Sequence, residues 1–498
     1  MNRLLIFFVM SVSLVFGEEL ATCNDDRPFH FKFFPTVVGS VKLHEKMDLS
    51  GKCFKNISFE LVERNDYFVL MYEMREKNSW LCGEIMILTT GRTQKYDFGL
   101  VEGYYSQTYL KTDLTEEEAK HIRRNGIRVL LSCNNYSNLF QDYWMTFKLF
   151  FGGYFPPRND GDKIKSPLLP KYMINENIKF VKGWTGYEWK WLDKELDIKV
   201  PKEEIKSGTM VGAFRFDGFD TAYQVMSGSR IGQTAIALWR DNELYIVETQ
   251  FADHWTDKGV QAHLWEDWLA LARDASYNLV LLPLKDEYQS KFNQEAVWSW
   301  YEQNKNIGYG NNNTIYAWLD TVGKNLPEFL NTDLFVILTK LLLYNLKDLD
   351  LFVLQAINKR LDSECKDLDD VWEELYKKDM TIEELLAIPE QDKWLYNGRP
   401  SLTSSAFIAS IYKQAGLFGD LEVNATEFTG KDLYELEFFD ISGEKVAESC
   451  KESAPRGYCQ LMGKIDMDLG ELAFQAVYAH MNEKCPTVRP DYRKVLGC

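Results

Sequence analysis

The distribution of cysteines constrains this chain's fold more than any other feature. Cys23, Cys53, Cys82 and Cys133 fall early, Cys450, Cys459, Cys485 and Cys498 fall late, and Cys365 stands alone. Two even groups in an exported chain imply two disulfides in each, hence two covalently braced regions, with the pairing inside each group left open. Export is read from the N-terminus. One basic residue, Arg3, precedes an apolar run over 4–16, and Val15-Phe16-Gly17 offers a cleavage point. Residues 1–17 therefore read as a signal peptide, since the run falls short of the roughly 20 residues of a membrane span. The longest later apolar stretch, 334–343, contains Thr339 and Lys340 and reads as a core helix, so no transmembrane segment is expected. Four acceptor sequons, at Asn56, Asn135, Asn312 and Asn424, fit a glycosylated surface. The expected destination is the secretory pathway, with the protein secreted or held in the endolysosomal lumen.

Charge excludes one large class of partner. With 57 basic against 74 acidic residues, the net charge of −17 repels phosphate backbones, so nucleic acid is not expected as a ligand. A chain of 498 residues with 45% hydrophobic content is long enough for two domains. Segments 67–72, 83–88, 127–131 and 143–150 are β-branched and aromatic runs bounded by turn residues, as in strands. Between them, Thr115-Glu116-Glu117-Glu118 has the form of a capping box and Gly126 of a helix stop. These residues make 18–152 a β-rich disulfide domain. The Gly, Pro and Asp residues over 153–170 make a linker. Residues 171–498 mix element types. Strands are expected at 234–239, 243–249, 277–284 and 433–439, helices at 262–273 and 406–415, a mainly helical insertion at about 315–388, and a Cys-rich end at 450–498. The fold class is α+β.

Candidate chemistry begins at Asp241-Asn242, a two-residue turn signal between alternating runs. With those two residues as the turn, Trp239 faces Leu244, Ala235 faces Glu248 and Gln233 faces Gln250. Gln233 and Glu248 then become diagonal neighbours on one face, roughly 7–8 Å apart. That is where a catalytic base and its orienting carboxylate would sit. An amide at 233, however, cannot take a proton. Ser404 opens a helix whose apolar Phe407, Ile408, Ile411 and Tyr412 recur at helical spacing. A nucleophile there would profit from the helix dipole, although serine is equally a favoured N-cap that needs no chemistry.

Together these segments resemble the circularly permuted branch of the papain-like, NlpC-type amidohydrolases, and within it a eukaryotic secreted group. The resemblance covers 183–498 and rests on an ordered set of short pieces. They include Ser207-Gly208-Thr209, Asp217-Gly218-Phe219-Asp220, Ile231-Gly232-Gln233-Thr234-Ala235-Ile236 and Leu244-Tyr245-Ile246-Val247-Glu248. Further on come Ile388-Pro389-Glu390-Gln391-Asp392, Ser404-Ser405-Ala406-Phe407-Ile408, Lys413-Gln414-Ala415-Gly416-Leu417-Phe418 and His480-Met481-Asn482-Glu483-Lys484-Cys485-Pro486. The resemblance implies a permuted papain-like α+β domain with the histidine strand ahead of the cysteine helix. It also places Ser404 at the nucleophile position, Gln233 at the base position and Glu248 at the orienting position. The first two are substituted, since the family has cysteine and histidine there, and Thr209 stands where the family usually has Asp. Losing nucleophile or base from such a triad costs on the order of 10⁶ in rate. The expected function is therefore binding of a peptide, glycopeptide or acyl-bearing lipid by an inactive hydrolase scaffold. The alternatives are a weakly active hydrolase using Ser404, and an adhesive glycoprotein acting through its N-terminal β domain.

Other residues have plainer accounts. His254 is the one candidate replacement base, but as a histidine beside Trp255 it reads as a surface residue. His263 is expected in the 262–273 helix with Trp265 and Trp268. Trp184, Tyr187, Trp189 and Trp191 read as core packing, and Cys365 as a buried or unpaired thiol. No His/Cys spacing suits a metal, and no cofactor is expected.

Overall fold

The computed structural model describes residues 36–80, 82–131, 169, 171–250, 259–310, 347–381, 384–385, 388–396, 398, 400–481, 487–488 and 493–494. Cys23, Cys133, Cys485, Cys498, Asn135, Asn312, His254 and the strand expected at 143–150 lie outside them, as does the side chain of Trp184. The chain forms two compact units. One comprises Met1–Lys148 with Gly323–Ile388, the other Leu149–Val322 with Pro389–Cys498.

The first unit contains β1 (Thr36–Val41), β2 (Lys46–Leu49), β3 (Phe54–Glu63), β4 (Tyr67–Lys77), β5 (Glu84–Thr89), β6 (Gln94–Gly99), β7 (Gly103–Leu110) and β8 (Ile127–Leu131). They pair antiparallel as two four-stranded sheets, ordered β1-β8-β5-β6 and β2-β3-β4-β7. Alternation dictates the core. Phe68, Leu70, Tyr72 and Met74 of β4 join Phe59 and Leu61 of β3 and Met86 and Leu88 of β5 in one buried cluster. Cys53 and Cys82 form a disulfide within the early cysteine group. In the helix Glu116–Asn125, Thr115 caps through Glu118 N–H as expected, and Gly126 ends the helix at φ 79°. Only half of the capping box forms. The Glu118 carboxylate turns into the core instead, accepting from Thr90 Oγ1 and from Thr93 N–H at 3.2 Å. Two helices from the 315–388 stretch, Lys347–Leu361 and Leu368–Lys377, belong to this unit. Arg92 pairs with Glu373 at 3.0 Å, and the Tyr376 hydroxyl donates to Thr90 O at 3.0 Å. The described part of the expected insertion therefore packs on the N-terminal sandwich, although the chain reaches it from within the larger unit.

The second unit is built on β9 (Trp191–Asp197), β10 (Met210–Phe214), β11 (Gln233–Arg240), β12 (Glu243–Gln250), β13 (Gly259–Leu264) and β14 (Asn278–Leu282). These are followed by the short parallel pair β15 (Gly308–Tyr309) and β16 (Ser401–Leu402), and by β17 (Cys459–Ile465). Seven of these strands form one antiparallel sheet, β13-β12-β11-β10-β14-β17-β9. Both of its faces are covered. On one lies the helix Ser404–Gln414, whose Ala406, Phe407, Ile408 and Ile411 share a core with Met210, Ile236, Val247 and Val280. On the other lies the helix Trp265–Asp274, with Trp265, Trp268 and Ala272 against Val211, Ala237, Ile246 and Leu279. Trp189 belongs to the first core, where its ring meets Tyr187 and Phe216 edge-on and Phe214 at a tilt, the packing role expected of it. Cys450 and Cys459 form a disulfide within the late cysteine group, while Cys365 is a free, buried thiol.

Two expected elements differ. The helix expected at 262–273 begins only at Trp265, because Ala262 and His263 pair with Val247 and Ile246 in the β13–β12 ladder. His263 thus lies on a strand, its Nε2 2.9 Å from Gln261 Oε1. The strand expected at 433–439 is instead entered by the helix Gly430–Glu435. Thr429 and Asp432 form a reciprocal capping box there, and that local signal outweighs the strand-like mixture of apolar residues with Glu435 and Glu437. Among the described residues, no helix is long and apolar enough to cross a membrane.

Candidate functional site

The β11–β12 hairpin has the register expected for an Asp-Asn turn. Asp241 and Asn242 adopt φ 51° and 62°, as a type I′ turn requires, and Trp239 opposes Leu244 while Ala235 opposes Glu248. Strand periodicity then settles where the polar side chains go. Gln233 shares the parity of Ala235 and Ala237, and Glu248 that of Leu244 and Ile246. These apolar residues line the core under the Trp265–Asp274 helix. Glu248 is fully buried there and accepts the Trp268 indole N–H at 2.9 Å. Gln233, 5% exposed, donates its amide to Thr249 O at 2.9 Å.

Ser404 belongs to the other face. It is the first residue of its helix and 3% exposed, and the N-cap is its neighbour Thr403, whose hydroxyl accepts Ala406 N–H at 3.2 Å. The N-cap is therefore Thr403 and not Ser404, which the sequence had offered for that role and which instead opens the helix proper. The register brings Gln233 and Glu248 to one side of the hairpin, and the core packing sets the Ser404 helix over the opposite side. Among the described residues, no hydrogen bond joins Ser404 to Gln233, Glu248, His263 or His480. His480 lies 3.4 Å from Glu422. No group of three or more potential metal ligands occurs among the described residues.

Sequence reasoning missed a buried polar network around the helix Phe219–Ser227. Tyr223 Oη accepts Gly430 N–H at 2.5 Å and lies 3.3 Å from Ser405 Oγ. Burial pushes the Tyr223 phenol well above its ordinary value, so it stays protonated and cannot take the Ser405 proton. On the same helix, Asp220 accepts Arg215 N–H at 2.6 Å, and Asp217, two residues before the helix, accepts the N–H groups of Phe219 and Asp220 at 3.0 and 3.2 Å. Burial, reinforced by the Asp217 charge, raises the Asp220 carboxyl well above the usual range. Gly232, directly before Gln233, lies so close that an added Cβ would come 2.2 Å from that carboxyl. The sequence signals for this network were the Asp217-to-Asp220 piece and the pieces holding Gly232 and Ser405; Tyr223 carried none.

Of the acceptor sequons, Asn56 is exposed, whereas Asn424 is half-buried with its amide donating to Gln391 Oε1 at 3.1 Å. No family model, curated protein or solved structure matches this chain.

Proposed function

We propose that the protein is an exported glycoprotein whose larger unit is a hydrolase-like scaffold that binds rather than cleaves. The ligand class implied by the resemblance is an amide- or acyl-bearing molecule: a peptide, glycopeptide or lipid. One observation carries the non-catalytic part. All three candidate triad positions are occupied by the fold itself, with Gln233 donating to a backbone carbonyl, Glu248 holding an indole, and Ser404 buried without a base among the described residues. A serine without a positioned base is a poor nucleophile at neutral pH. Two disulfides and an N-terminal signal-like segment support passage through the secretory route.

The test is turnover of chromogenic esters and amides by the mature chain and by Ser404→Ala. Both are expected at the uncatalysed rate. Turnover that the wild type shows and Ser404→Ala lacks would make this a serine hydrolase and end the binding-only reading.

A further inference from the structure

A second site lies in the N-terminal unit and does not depend on the papain-like reading. A cleft of about 840 Å³ opens among the helix Glu116–Asn125, the paired ends of β1 and β8, and the helix Leu368–Lys377 with the turn that follows it. That volume falls within the range typical of small-molecule sites. Lys42, Lys120, Arg124, Arg128 and Lys377 line it, against the carboxylates Glu117 and Asp379. A cationic concavity on a chain of net charge −17 is a local inversion of the protein's field, and low-dielectric walls focus such a field on whatever enters. Part of this charge is spent internally. Arg124 pairs with Asp379, Lys120 with Glu116 at 3.0 Å, and Lys377 with Glu374 at 2.9 Å. Lys42, exposed at the rim, carries no ion pair among the described residues.

The walls are built in advance of any ligand. Trp372 packs so closely beneath Gly91 that an added Cβ would meet its ring at 2.9 Å, and Tyr376 is anchored to Thr90 O. His121 packs at a tilt against Tyr376 with ring centroids 5.0 Å apart. Its Nδ1 faces the Asn125 amide nitrogen at 2.9 Å. An amide nitrogen only donates, so Nδ1 accepts and the neutral ring carries its proton on Nε2. Burial first, and then the charges of Arg128 and Arg124, hold the His121 pKa down at about 4, which keeps this donor neutral in a mildly acidic lumen. Ser40, Thr381 and Asn125 add polar side chains to the lining.

We propose that this cleft binds a multiply anionic oligosaccharide, such as a sulfated glycan. Lys42 answers one acidic group directly, and Lys120, Arg124 and Lys377 answer others by exchanging exposed ion pairs that are weak. The Ser40, Thr381 and Asn125 side chains answer sugar hydroxyls, while the concave shape suits a chain end rather than a planar surface.

The test uses the full mature chain and calorimetric titration with a sulfated heparin-derived hexasaccharide, its desulfated counterpart, and phosphatidylserine vesicles. The expected result is binding of the sulfated sugar that weakens with added salt and is absent for the desulfated one. The variant Lys42→Glu with Lys120→Gln, both at exposed positions, should bind about tenfold more weakly or worse while keeping the wild-type circular dichroism spectrum. Three outcomes would overturn the assignment: unchanged affinity in the folded variant, equal binding of the desulfated sugar, or binding of the vesicles alone.

Discussion

Consider the Trp268–Glu248 hydrogen bond, which holds the orienting-position carboxyl away from the Ser404 helix. Glu248 is fully buried, and the indole N–H reaches its Oε1 at 2.9 Å. Trp268→Phe takes that donor from a buried acceptor, costing about 1–3 kcal/mol, with about 1 kcal/mol more for the lost ring volume. Glu248→Met alone strands the indole N–H at a similar cost of about 1–3 kcal/mol. The double variant replaces both polar partners with apolar groups of similar shape, a change that can be nearly neutral for the bond itself. The coupling energy from the complete cycle should therefore be about 2 kcal/mol, with the double variant more stable than the summed singles predict. Urea unfolding followed by far-UV circular dichroism measures it, with stability differences taken from midpoints at unchanged slope. Additivity to within about 0.5 kcal/mol would show that the two groups do not depend on each other. The placement of Glu248 beneath the Trp265–Asp274 helix would then fall.

Three further perturbations have signed outcomes. Asn242→Ala puts a Cβ-constrained residue at φ 62° and should cost about 1 kcal/mol in a urea midpoint, whereas Asn242→Gly should be near neutral. Gly232→Ala drives a methyl into the buried Asp220 carboxyl, which also holds Arg215 N–H, and should lower stability by more than about 2 kcal/mol in the same assay. His121 titrates near 4 in the fold against 6.5 when free, so the unfolded chain takes up the proton first. Its contribution to stability is full above about pH 6.5 and is lost as pH falls toward 4, by about 2 kcal/mol after allowance for partial exposure. His121→Gln should remove that slope between pH 6.5 and 4.5, as read from melting temperatures across the interval.

Much of the local structure was legible in the residues. Asp241-Asn242 is a turn that only certain backbones can make, and strand alternation carries its register along both arms, so the Ala235–Glu248 pairing followed. Thr115 and Gly126 marked both ends of their helix, and among the described residues one of the two disulfides expected in each cysteine group forms. Short stretches that mix apolar and acidic residues were not legible. Residues 433–439 suit a strand or a helix, and the Thr429–Asp432 box decided for the helix up to Glu435. The helices from 315–388 were assigned by their neighbours in sequence, yet Trp372 and Tyr376 bury against the sandwich of the first unit.

The candidate site divides along the same line. The sequence by itself determined that Gln233 and Glu248 share a face, because the side-chain period of a strand is two. It could not determine which face. The first six residues of β11 are all buried, since helices cover the sheet on both sides, so hydrophobic alternation holds no distinction between them. Only the tertiary structure laid the Trp268 helix over Glu248 and the Ser404 helix over Ile236 and Val247. That choice depends on how whole helices pack, a property no short stretch of sequence contains.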